Sequence, residues 1–160
     1  MKENLTSVIY SQFGAALQML GNTMNACPLK VWNQDEDFWY MSYHTLFFTD
    51  YYLSENPRNF HPPVPFTLSE MDPSGKMPER KYSLDELNNY LDHIWQRLEV
   101  FMSDFESSYL RSRFQDDYKD YSRLEIAIYN LRHIQHHVAQ LNKLLRKHDI
   151  EPPKWVSQKQ

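Results

Sequence analysis

SRLEIAIYNLRHIQHHVAQLNKLLRK, residues 122–147, carries the pattern that decides the fold. Ser122 and Glu125 form the Ser-x-x-Glu motif of a capping box, in which each side chain satisfies a backbone donor of the first helical turn. Behind it Leu124, Ala127, Leu131, Ile134, Val138, Leu141 and Leu145 recur at steps of three and four, and Arg146 and Lys147 close the run where cations suit a helix C-terminus. A helix over residues 123–147 follows. The same signature recurs upstream: Ser83 and Glu86 cap a run in which Leu84, Leu87, Leu91, Ile94, Leu98, Phe101 and Phe105 share one seam. A seven-residue apolar rhythm on long helices is the mark of a bundle.

Working outward, Leu5, Ile9, Phe13, Ala16, Leu20 and Met24 make a stripe that predicts a first helix over residues 4–24. The acidic run Asp35, Glu36, Asp37 suits a helix N-terminus and opens a second helix over residues 36–54. Pro57, Pro62, Pro63, Pro65, Pro73 and Pro78 exclude regular helix from residues 55–82. That segment therefore reads as a long crossover, which a bundle of this connectivity requires to carry the chain from one end to the other. Residues 106–121 carry no assignable pattern. The expectation is an all-α, single-domain four-helix bundle over residues 1–160, with a Pro-rich crossover between helices two and three.

Only three glycines occur, where average usage gives about 11, which argues against turn-rich β folds and Gly-rich phosphate loops. One cysteine, Cys27, cannot form a disulfide framework and fits a cytoplasmic protein. A net charge of −4 without a basic run speaks against nucleic acid. No run of 18 apolar residues and no basic start before an apolar stretch points to a membrane span or export signal.

The histidines hold the chemistry. His133 and His137 are four apart, so both rings reach one face of the last helix. With Ile134 as zero they fall near −100° and −60°, flanking the core, whereas His136 falls near 200°, facing solvent. His44 lies in the aromatic stripe of Tyr40, Phe47, Phe48 and Tyr51, where a polar ring needs an acceptor or a metal. His61, His93 and His148 read as solvated or capping residues, and Trp32 and Trp39 as core. An inward His44 with the His133/His137 pair would give three imidazoles and an open coordination position, a set suited to Zn²⁺ or Ni²⁺ and tolerant of Fe²⁺, Mn²⁺ or Co²⁺. The same residues would serve equally as hydrogen-bonded core histidines.

The segments YHTLFFTDYYL and LRHIQHHVAQLNKLLR resemble the DinB-like superfamily, which includes the YfiT-type proteins. The resemblance implies a four-helix bundle with a long crossover and a metal on His44, His133 and His137, with His136 left out. Ala139 stands where relatives commonly have glycine. The implied activities are a metal-dependent transferase using a low-molecular-weight thiol on a small electrophile, or a hydrolase using water at the open position. Tyr40 or Tyr51 is placed to assist either reaction, and a homodimer is compatible with the aromatic second helix. The competing class is a non-catalytic metal-binding or structural bundle.

Overall fold

A computed structural model describes residues 4–160 of the chain. It is mostly helical: α1 (Leu5–Ala26), α2 (Leu29–Gln34), α3 (Glu36–Tyr52), α4 (Leu84–Ser103), α5 (Phe105–Ser108) and α6 (Arg123–Lys147), with one small antiparallel hairpin. Each long helix starts on a side-chain acceptor. Asn4, Asp35, Ser83 and Ser122 accept from the backbone N–H of Ser7, Asp37, Glu86 and Glu125. At Ser83 the box is reciprocal, because Glu86 also accepts from the Ser83 N–H at 2.8 Å, and Arg80 holds that carboxylate at 2.6 Å.

The helix expected over 36–54 ends at Tyr52, and the first helix runs two residues past its expected end to Ala26. The unassigned segment 106–121 covers most of α5 and of the hairpin, β1 (Arg113–Gln115) paired with β2 (Asp120–Ser122). Its strands are three residues each, too short for a period-two pattern to register. Phe114 is the inward residue of β1 and packs on Tyr51 and Tyr52.

The helices α1 and α3 each pack against both α4 and α6. The core between them is formed by Phe13, Leu17, Leu20, Leu46, Leu87, Ile94, Leu98, Ile134, Val138, Leu141 and Leu145, all buried. The seam of α6 differs from the apolar reading at two steps: Leu124 is only partly buried beside the buried Ile126, and the second step falls one turn on. Asn130 is buried there, donating to the Thr49 carbonyl of α3 at 3.0 Å, while Leu131 is only partly buried. At Gly21 a Cβ would lie 2.9 Å from Leu91 Cδ2, so this glycine permits the close approach of α1 to α4.

The Pro-rich segment between α3 and α4 is a packed layer. Phe66 stacks on Tyr90 of α4 with ring centroids 4.4 Å apart and lies 5.7 Å from Tyr43 of α3. Phe60 packs on Phe47, Tyr82 packs on Tyr43, and the Tyr43 hydroxyl donates to the Thr67 carbonyl at 3.2 Å. These anchors hold the short 3-10 turn Leu68–Met71 against α3. No helix among the described residues is long and apolar enough to cross a membrane.

The reciprocal box at the start of α4 makes Ser83 a defined source of stability. Ser83→Ala is expected to lower unfolding free energy by about 1 kcal/mol. Chemical denaturation should show a lower midpoint at unchanged slope, and an unchanged midpoint would show that water replaces the cap at no cost.

Candidate metal centre

Regular helix from Glu36 to Tyr52 and from Arg123 to Lys147, packed side by side, fixes where the histidines meet. The rings of His133 and His137 are 4.6 Å apart between centroids, as the one-turn spacing requires. The His44 ring stands 4.9 Å from His137 and 5.9 Å from His133. One nitrogen from each of the three lies within 4.8 Å of the other two, so the group could hold a metal ion. His136 is exposed on the outer side of α6, its ring beside that of His137 but outside the group.

The polar partners of these rings decide whether the set suits an ion. His44 Nδ1 donates to Glu70 Oε2 at 2.7 Å, and the Glu70 side chain is 2% exposed. His137 Nδ1 donates to Gln140 Oε1 at 2.7 Å, one turn further along α6. In each case an oxygen fixes Nδ1 as the protonated nitrogen and leaves Nε2 with a free lone pair. His133 has no such partner: both of its ring nitrogens are buried and unbonded. A buried imidazole with neither nitrogen satisfied costs about 1–3 kcal/mol, which a ligated ion would repay. The second Glu70 oxygen is also buried without a partner, and His44 is its only ion-pair partner among the described residues. Three imidazoles, one with both nitrogens unsatisfied, beside a buried carboxylate with one oxygen unpartnered fit a divalent transition ion.

Aromatic rings enclose the group. Phe48 lies against His44 and His133, Tyr52 against His133, and Tyr40 against His44. Burial, helped by the Glu70 charge, pushes the Tyr40 phenol up to about 12, so it stays protonated and can donate. Tyr51, the other tyrosine singled out in the sequence, instead donates to Asp116 Oδ2 at 2.9 Å and packs against Phe60 and Phe114. Tyr52 is the residue of that pair whose ring meets a histidine.

The remaining histidines have other surroundings. His61 is exposed. His148 is the C-cap of α6 and reaches Asp35 at the start of α3, Nε2 to Oδ2 at 2.7 Å. His93 is not merely solvated, because its Nε2 lies 3.6 Å from the fully buried Asp50, which also accepts from Tyr90 at 3.1 Å and pairs with Arg97 at 3.3 Å. Trp32 and Trp39 are buried and donate to the Tyr82 carbonyl and to Glu36. Cys27 is buried away from the site, and burial pushes its thiol up to about 11, so the chain offers no thiolate of its own.

Glu70, Gln140 and Tyr52 are the site residues that the sequence reading missed. Gln140 had an available signal, standing three residues after His137 on the same helix. Glu70 had none, being 26 positions from His44 in an irregular segment. Comparison with family models, curated proteins and solved structures finds no match to this chain.

Burial holds the His133 imidazole down to about 3 and lowers that of His137, with the neighbouring imidazoles contributing. Unfolded histidines take up protons below about pH 6.5, whereas folded His133 resists until about pH 3 and folded His137 is shifted in the same direction. The unfolded state therefore binds more protons, and their contribution to stability is lost as pH falls from about 6.5 toward 3. The metal-free protein should lose stability over pH 7 to 5 more steeply than its His133→Gln variant, followed by urea unfolding. Parallel curves would contradict the buried neutral imidazole.

Proposed function

We propose that the four long helices constitute a DinB-like bundle whose His44, His133 and His137 hold a divalent transition metal, Zn²⁺ or Ni²⁺ first. The proposed activity is transfer of a low-molecular-weight thiol to a small electrophile. The observation that carries it is the convergence of three imidazoles from two helices, one with both nitrogens buried and unsatisfied, beside a buried carboxylate.

A divalent ion in this set supplies Lewis acidity that lowers the pKa of a bound thiol toward neutrality. The chain's residues prepare that event. Glu70 and Gln140 engage Nδ1 of His44 and His137, which leaves Nε2 of each as the nitrogen with a lone pair for an ion. Burial keeps His133 unprotonated at neutral pH. Phe48, Tyr52 and Tyr40 limit water around the group. In the transfer the thiol proton passes to solvent, sulfur bonds to the electrophilic carbon, and the leaving group departs with its electron pair.

The thiol reading is favoured over hydrolysis by the make-up of the group: it comprises three histidines and no carboxylate. Glu70, the adjoining acid, is committed to His44. A thiol needs no further base once its pKa has fallen, whereas water attack gains from a general base beside it.

Elemental analysis of the untagged protein should find about one equivalent of transition metal, lost in His44→Ala and His137→Ala and kept in His136→Ala. Glu70→Gln should retain the fold and bind metal about 10–100-fold more weakly, the size of effect for partners of ligating histidines. The Co²⁺ form should develop a sulfur-to-metal charge-transfer band on addition of 2-mercaptoethanol. No stoichiometric metal after reconstitution would leave a structural bundle, and metal without thiol binding would remove the transferase reading.

A further inference from the structure

Two cavities of about 690 Å³ each are lined by residues that touch the three histidines, though not by the histidines themselves, and they differ in charge. One is lined by Phe48, Tyr52 and Glu70, whose contacts with His44 and His133 place it against the group. Its rim carries Asp72, Asp116 and Asp117, and only Arg58 and Lys119 oppose them. The other lies between the first turns of α3 and the last turns of α6. It is bounded by Tyr40, beside His44, and by Gln140, the acceptor of His137. Met41 and Leu144 add apolar wall, and its rim carries Lys143, Arg146 and Lys147 against the single carboxylate of Asp37.

Those three cations are exposed, and among the described residues none makes an ion pair or a side-chain hydrogen bond. Because Gln140 Oε1 is taken by His137, its amide hydrogens are left facing other partners. The cavity thus combines positive charge with no ion-pair partner and an apolar wall, beside the residue that holds a candidate ligand of the ion. A concave site of this size with a few convergent polar groups suits a small organic molecule.

We propose that this cavity binds an anionic arm, carboxylate or phosphate, of the thiol whose sulfur is activated at the three histidines. The proposal rests on the metal–thiol reading and adds to it the charge and the direction of approach of that thiol. The acidic rim of the opposite cavity disfavours the same anion there, so the two cavities together orient it.

The test uses three thiols of similar size and different charge on the Co²⁺-loaded protein, followed by the charge-transfer band: 3-mercaptopropionate, 2-mercaptoethanol and cysteamine. The anionic thiol should bind about fivefold or more tightly than the neutral one, and the cationic thiol most weakly. The preference should shrink with added salt and disappear in the double variant Lys143→Glu/Arg146→Glu, whose exposed positions leave the core untouched. Inorganic phosphate should displace 3-mercaptopropionate if the site reads anionic charge, and leave it bound if the site reads carboxylate geometry; either result supports an anion site. Equal affinity for the three thiols, or a preference that survives the charge reversal, overturns the anion site and leaves the metal–thiol reading intact. If no band forms with any thiol, that reading falls, and calorimetry of the metal-free protein decides the cavity. Saturable 3-mercaptopropionate binding that the double variant loses would support an anion site, and none would overturn it.

Discussion

The contact between Glu70 and His44 ties the irregular part of the chain to the regular part. A carboxylate that is 2% exposed cannot be paid for by water, so its burial must be offset by donors or by charge. One oxygen finds His44 and the other finds nothing. The crossover accepts this arrangement because Phe60 and Phe66 ahead of the turn Leu68–Met71, and Tyr82 after it, fix it against α3 and α4. The aromatic layer therefore does more than fill space. It sets the height at which a carboxylate arrives behind the His44 ring, and so sets which nitrogen that ring presents to α6.

The opposite side of α3 is fixed by a different set of polar ties. Thr49 offers its carbonyl to Asn130 of α6, and Asp50 engages Tyr90, Arg97 and His93 of α4. Asp50 is fully buried, and burial raises its carboxyl, with His93 and then Arg97 opposing that rise. Each tie has one arrangement that satisfies it. A helix held at both faces this way cannot rotate without breaking buried hydrogen bonds, which would cost more than shifting an aliphatic contact. The orientation of His44 relative to His133 and His137 is thus set by contacts on the far face of its own helix as well as by Glu70.

The long helices were legible because capping and apolar periodicity are local properties. Ser122 with Glu125 and the steps from Ala127 to Leu145 locate α6 at the residues where it is found, Arg123–Lys147. The sidedness of α6 was legible for the same reason, since a rotation of about 100° per residue separates His136 from the group without reference to any other helix. The hairpin was invisible because three-residue strands carry no period, and α2 because six residues after Pro28 hold too little pattern. Tyr51 and Tyr52 are adjacent, and the stripe drawn through His44 passes through Tyr51. Which of them meets α6 depends on how α3 packs, and Tyr52 is the one whose ring meets Tyr129 and His133. Glu70 depends on a fold of the crossover that no residue near it announces.

The sequence logic fails most clearly at His133. Position 133 flanks the seam of α6 against the aromatic face of α3, where phenylalanine or leucine would bury well and satisfy every rule of core packing. A histidine with both nitrogens sealed from water and unbonded is a cost at that position, and nearby Phe48 and Tyr52 offer its ring nitrogens no hydrogen bond. Chains accept such local costs chiefly where another requirement outweighs stability. Here the neighbours suit an ion: His44 and His137 each have Nδ1 bonded to an oxygen, and one nitrogen of each of the three histidines lies within 4.8 Å of the other two. Three imidazoles this close, one of them with both nitrogens buried and unbonded, beside a carboxylate with one buried oxygen unpartnered, form a group that could hold an ion, and a bound ion would offset both costs.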